Sequence, residues 1–187
     1  LGQRVLDHRD RFVYSGKPLN MEELARLHNR QIKEFVKAGT WNAKFSSGGL
    51  VDIEYHVQHL QIRYGPRDPS VRCTGTRTAL KALKHGGYIT AGEFESLIQA
   101  HEFLRRLINA LRILRGNARD LVIPRRNSEE FYFLARRMGY TTGGESKLEE
   151  DLVFHRSKVA GLVVWEEKIR QSQSAQGTED ENPGVKR

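Results

Sequence analysis

Sulfur and long apolar runs are scarce in this chain. Among 187 residues there is one cysteine, Cys73, so no intrachain disulfide can form and a thiolate zinc site lacks its ligands. That usage fits a reducing, cytoplasmic setting. The longest apolar stretch, Val159 to Trp165, is far short of the ~20 residues a membrane helix needs, and the N-terminus carries no signal-peptide core, so no membrane association is expected. Reactive signatures are missing too. The seven histidines (His8, His28, His56, His59, His85, His101 and His155) have no zincin spacing, and no Walker A pattern or nucleophile elbow occurs. No catalytic residue and no metal ligand is expected within the chain. His56 and His59, three apart, read as a solvated pair on an outer face.

Positive charge is what the chain has in excess, with a formal net charge of +8. Arg105, Arg106, Arg112, Arg115, Arg119, Arg125 and Arg126 concentrate it in one stretch. Nucleic acid would be a fitting partner for such a run, but aromatics are not interleaved as stacking platforms and no nucleic-acid module signature is present. Nucleic-acid binding is therefore disfavoured. Residues 171–187 hold almost no apolar side chain and cannot offset the entropy of ordering, so a disordered tail is expected there. The first residue, Leu1, is not Met, which suggests a piece of something longer.

Helical periodicity dominates the rest. Leu50, Ile53, Val57, Leu60 and Tyr64 step by 3 and 4, the mark of one amphipathic helix begun after Gly48-Gly49. Asn20 with Glu23 reads as a capping box opening a helix to about Ala38, with Leu24, Leu27, Ile32 and Phe35 inward and Gly39 as its stop. Thr90 with Glu93 opens the longest helix, ending near Arg115-Gly116, and Ser146 with Glu149 opens another. Shorter helices fit Arg77 to Lys84 and Ser128 to Met138. Strand alternation is nearly absent. The spacing predicts an all-α fold, an irregular helical bundle around a central long helix at about Thr90–Arg115. Its domains are a connector over 1–19, a bundle over 20–170 and the tail over 171–187.

On the long helix, Arg105 and Arg112 fall a heptad apart at the angle of His101 and Ile108. A buried arginine needs a carboxylate or several carbonyls. Glu54, Gln58 and Gln61 flank the apolar stripe of the Leu50–Tyr64 helix. We therefore expect an internal polar seam joining Glu54, Gln58 and Gln61 to Arg105 and Arg112; the alternative is that the arginines snorkel to solvent.

Gly48-Gly49-Leu50-Val51-Asp52-Ile53-Glu54 invites comparison with the two-metal carboxylate pair of nucleotidyltransferases. Geometry argues against it, because carboxylates two apart share a face on a strand and diverge on a helix. Asp52 instead belongs to a first helical turn, where the free N–H groups and the dipole favour a carboxylate. The same glycines could receive an anion at the helix N-terminus with Lys44 as counter-charge, although Asp52 would repel it.

Taken together, several stretches resemble a known family. Lys44-Phe-Ser-Ser-Gly-Gly-Leu-Val-Asp52-Ile-Glu54-Tyr-His-Val-Gln58-His-Leu-Gln61 is similar to the signature that opens the helical domain following the nucleotidyltransferase domain in bacterial glutamine-synthetase adenylyltransferases and PII-protein uridylyltransferases. The similarity continues through Thr76-Arg77-Thr78-Ala79-Leu80, Phe103-Leu104-Arg105-Arg106 and Arg136-Arg137-Met138-Gly139-Tyr140. One departure is Ser46-Ser47, where relatives often carry a further glycine. The resemblance implies an accessory domain of an enzyme that transfers AMP from ATP with Mg2+ to a tyrosine of glutamine synthetase, the metal-binding carboxylates lying upstream. It also implies that this segment alone is inactive. Its implied partners are the upstream nucleotidyltransferase domain and glutamine synthetase or a PII-like protein, with Lys44, Gly48, Gly49 and Asp52 as nucleotide-cleft or interdomain candidates. The competing expectation is a non-catalytic basic module for a protein or nucleic acid.

Overall fold

Polar caps and glycine stops cut the chain into helices. The structure, a computed structural model, describes residues 2–17, 19–117 and 119–163, and the predicted tail over 171–187 lies outside the described residues. Among these are seven α-helices: α1 Gly2–Val13, α2 Met21–Phe35, α3 Leu50–Tyr64, α4 Thr76–His85, α5 Ala91–Arg115, α6 Glu129–Arg137 and α7 Glu145–Leu162. A short 3-10 turn at Pro69–Val71 joins α3 to α4. The β-type pairing seen among the described residues is an isolated antiparallel bridge between Asn42 and Val122. The chain is all-α, as its periodicity predicts.

The fold is organised around α5. Thr90 accepts the Glu93 N–H while the Glu93 carboxylate accepts from Thr90, the reciprocal capping box that its sequence spacing predicts. Gly116, at φ 64°, stops the helix in the left-handed conformation that a side chain resists. Between these ends Leu97, Leu104, Leu107 and Leu111 are fully buried, and α5 packs against α3, α4, α6 and α7. Truncating any of these leucines to alanine would cost ~2–5 kcal/mol. Beyond its first turn, only a narrow strip of α5 meets solvent, and it carries Glu95, Gln99, Glu102, Arg105, Arg106, Asn109, Arg112 and Ile113.

That strip overturns the expected polar seam. Arg105, Arg112 and Gln58 are exposed, and Glu54 is half-buried on a helix whose neighbours are apolar. Gln61 is buried as expected, but its side-chain N–H groups donate to the carbonyls of Val71 and Cys73 at 2.7 Å each. Arginine placed at the border of a wide apolar surface follows its charge outward, because burial without a carboxylate costs several kcal/mol.

The segment expected as a connector holds α1, whose Tyr14 end docks near α3 through Arg72, placed over the Tyr14 ring at 5.0 Å and 3.3 Å from Asp10. Three other expectations are corrected. Helix α2 turns Ala25 and His28 inward and leaves Leu27 and Phe35 partly exposed. Helix α7 starts at Glu145 after Gly144, so Ser146 is no cap; its hydroxyl accepts from Arg126, which also pairs with Glu149 at 2.8 Å. His56 is buried and His59 half-buried, so they are not a solvated pair.

Candidate functional site

The signature between Trp41 and Asp52 folds into a knot at the start of α3. Asn42 forms its base: its side-chain oxygen accepts the N–H groups of Lys44 and Phe45, and its own N–H donates to the Ser46 hydroxyl at 2.8 Å. This Asx-type turn reverses the chain. The segment after α5 then pairs with it, Ala43 N–H donating to Leu121 and Ile123 N–H to Trp41. Arg115 secures that segment by bonding the Val122 carbonyl at 2.8 Å and Glu130 at 2.5 Å.

The two glycines are required for different reasons. Gly48 has φ +76°, and a Cβ there would lie 2.5 Å from the Arg156 carbonyl oxygen of α7. Gly49 has ordinary dihedrals, but a Cβ on it would lie 2.7 Å from the Ser46 carbonyl and 2.9 Å from that of Lys44. Close approach of backbone to backbone thus explains both positions. The knot is also the place where α7 leans on α3, with Arg156 over the Trp41 ring at 5.6 Å.

Asp52 closes the knot from inside. Its carboxylate is fully buried, with one oxygen accepting the Gly48 N–H at 2.7 Å and the other 2.5 Å from Nε2 of His28 on α2. His28 is equally buried, and its ring meets Tyr55 edge-on at 6.2 Å, while the Tyr55 hydroxyl donates to Gln31. One carboxylate therefore ties α2, the glycine turn and α3 together. His28 was not singled out from the sequence. Its signal was its place at the centre of the stripe Met21, Leu24, Ala25, His28 and Ile32, where an apolar residue is expected and a buried imidazole calls for a partner.

This geometry decides what the signature can hold. The N–H groups of Gly49, Leu50, Val51 and Asp52 donate to the carbonyls of Ser46, Ala43, Lys44 and Gly49, and that of Gly48 to Asp52. Every donor an anion would use at this helix N-terminus is already engaged. Lys44 is half-buried, its ammonium over the Phe45 ring at 4.9 Å. Both Asp52 oxygens are taken, so neither a nucleotide triphosphate nor Mg2+ fits the donor set at Gly48, Gly49 and Asp52. Elsewhere, among the described residues, no three His, Cys, Asp or Glu side chains converge as a metal site.

Titration follows burial in the core beside this knot. Desolvation pushes His56 down to about 4, with repulsion from His59 adding to it and Glu93 opposing it. His59, His101 and His155 are lowered by the same cause. The Tyr140 phenol, whose hydroxyl donates to Asp151 at 2.6 Å, is raised by burial and by that carboxylate.

The family model described as GlnD PII-uridylyltransferase matches residues 20–164, from the cap of α2 to the end of α7. The chain belongs to this family. Among its relatives is the bifunctional glutamine synthetase adenylyltransferase/adenylyl-removing enzyme of Cutibacterium acnes, 32% identical over 88% of this chain and 18% of that protein. Enzymes of the same description from Streptomyces avermitilis and Corynebacterium diphtheriae are 33% and 36% identical over 81% and 65% of the chain, and over 16% and 12% of their own lengths. The chain thus spans less than a fifth of these relatives. For a member of the GlnD PII-uridylyltransferase family, the Gly-Gly-x-x-Asp signature here is a folding device joining three helices. No helix among the described residues is long and apolar enough to cross a membrane.

Proposed function

We propose that this chain is the helical accessory domain of an adenylyltransferase acting on glutamine synthetase, and that it packs on the nucleotidyltransferase domain of the same enzyme. The observation that carries the reading is the set of exposed apolar side chains on α1 and α2: Phe12 is 84% exposed and Val5 62%, Leu6 and Leu27 are also open to solvent, and Phe35 is covered on one side only, by the Phe45 ring stacked on it at 4.6 Å. Apolar side chains exposed at that level on consecutive helices call for a covering surface. The likeness to enzymes several times longer supports another domain as that cover. ATP and Mg2+ are held in that other domain under this reading, because the donors at Gly48, Gly49 and Asp52 are spent within the fold. The knot then supplies a stiff platform rather than reacting groups, and positions the domain edge that helps close the nucleotide cleft.

Transfer of labelled AMP from MgATP to glutamine synthetase tests this. The whole enzyme should transfer, the isolated chain should not, and replacing Phe12, Leu27 and Phe35 together by serine in the whole enzyme should lower transfer at least ~10-fold, the equivalent of ~1.4 kcal/mol. Transfer by the isolated chain, or an unimpaired triple variant, would refute the reading.

A further inference from the structure

We infer that the outer face shared by α5 and α6 is a docking surface for an acidic, apolar-anchored face of the protein substrate. The inference rests on the reading above and concerns helices other than those assigned to the catalytic domain.

Two contacts set the register of α5 and α6 as antiparallel neighbours. Arg106 donates to the Met138 carbonyl at 2.7 Å, and Arg115 pairs with Glu130 at 2.5 Å. Between those clamps the register places Arg112 and Ile113 level with Tyr132 and Phe133, and Asn109 level with Arg136. Ile113 is 60% and Phe133 47% exposed, so each helix contributes one open apolar side chain at the same height. Both lie on helices whose other faces are packed in the core.

The charge around them is one-sided. Arg105, Arg112 and Arg137 are exposed and make no ion pair with any described residue, while Arg106 and Arg136 donate to the neutral carbonyls of Met138 and Tyr140. Nearby carboxylates are mostly spent: Glu102 pairs with Arg77 at 2.8 Å and Glu130 with Arg115, which leaves Glu129 and, across a small cleft from it, Glu145. Five guanidinium groups thus face two free carboxylates across roughly two helical turns. Self-repulsion of this kind is unfavourable for the folded chain alone and favourable for an acidic partner.

The apolar pair selects the class of partner. A phosphate backbone offers nothing to Ile113, whereas a protein face can bury Ile113 and Phe133 as central anchors with arginines at the rim. The occupant is therefore a protein surface with Asp or Glu flanking an apolar residue, rather than a nucleic acid.

The test measures binding of the whole enzyme to immobilised glutamine synthetase at low and moderate salt. Variants R105E/R112E/R137E and I113S/F133S are compared with wild type, their folding checked by circular dichroism and their binding to a DNA duplex measured in parallel. Charge reversal should weaken the complex at least ~10-fold, mainly through slower association, with the gap narrowing as salt rises. The serine pair should weaken it by a similar factor through faster dissociation at either salt. Unchanged affinity in both folded variants overturns the inference while leaving the reading above intact. Loss confined to DNA binding overturns it in favour of nucleic acid. A wild-type enzyme that neither binds nor modifies glutamine synthetase overturns the proposed function itself.

Discussion

Replacing Asp52 by alanine removes the acceptor on which α2, the glycine turn and α3 converge. Two buried groups lose a partner at once, the His28 Nε2 position and the Gly48 N–H. Leaving a buried donor unsatisfied costs ~1–3 kcal/mol, and removing one member of a buried polar pair costs ~3–5 kcal/mol in all. Because whole domains are stable by only ~5–15 kcal/mol, this is a large share of the total. At ~2–4 °C per kcal/mol for a domain of this size, the melting temperature should fall by ~6–20 °C. Asp52→Asn keeps shape and one acceptor oxygen for Gly48, so its loss should be smaller, ~1–2 kcal/mol. Urea unfolding followed by far-UV circular dichroism near neutral pH measures both. His28→Ala and the double variant complete a cycle whose coupling energy should exceed ~1 kcal/mol. If Asp52→Ala changes stability by less than ~0.5 kcal/mol, the carboxylate is not the tie described here, and its place in the signature needs another cause.

Stability should also respond to acid through the buried histidines. His56 falls from its ordinary 6.5 to about 4, so the unfolded chain binds its proton more tightly. Stability is then fully present above pH ~6.5 and declines as pH falls towards 4, by on the order of 3 kcal/mol from this group. His59 and His101 add in the same direction. His56→Leu should flatten the slope of unfolding free energy over that window, and an unaltered slope would contradict the assignment. Gly48→Ala must adopt positive φ and also displace the Arg156 backbone, so a loss of at least ~2 kcal/mol is expected in the same urea assay. Tyr140→Phe should cost ~1 kcal/mol by deleting the bond to Asp151, with spectroscopic titration of the wild type showing this phenol ionising later than an ordinary tyrosine.

Local signals were legible in the sequence, and pairings across the fold were not. Thr90 with Glu93, Asn20, Ser128 and the stop at Gly116 mark helix ends because capping is a matter of neighbouring residues. The choice of inward face was less secure. On α2 the larger Leu27 and Phe35 read as core, yet Ala25 and His28 are buried, because only a small residue and a partnered imidazole fit beside the start of α3. Arg105 and Arg112 sit at the border of an apolar surface that covers most of α5, and a helical wheel cannot say which border residues a neighbour covers. The glycine signature was legible as a motif but not as a cause: the approach of Arg156 comes from a helix more than a hundred residues later. For the same reason Asp52 could be placed in a first turn from sequence, while its bond to His28 required the fold.

Amide hydrogen exchange, comparing the isolated chain with the same residues inside the whole enzyme, reads out directly which helices the rest of the enzyme covers. If this domain serves the enzyme by packing on its catalytic unit, peptides spanning α1 and α2, with Val5, Phe12, Leu27 and Phe35, should gain protection in the whole enzyme, while those spanning Gly48 to Asp52 are already protected in the isolated chain. Equal exchange of α1 and α2 in the two settings, or protection at Gly48 to Asp52 that arises only on adding MgATP, would contradict the account.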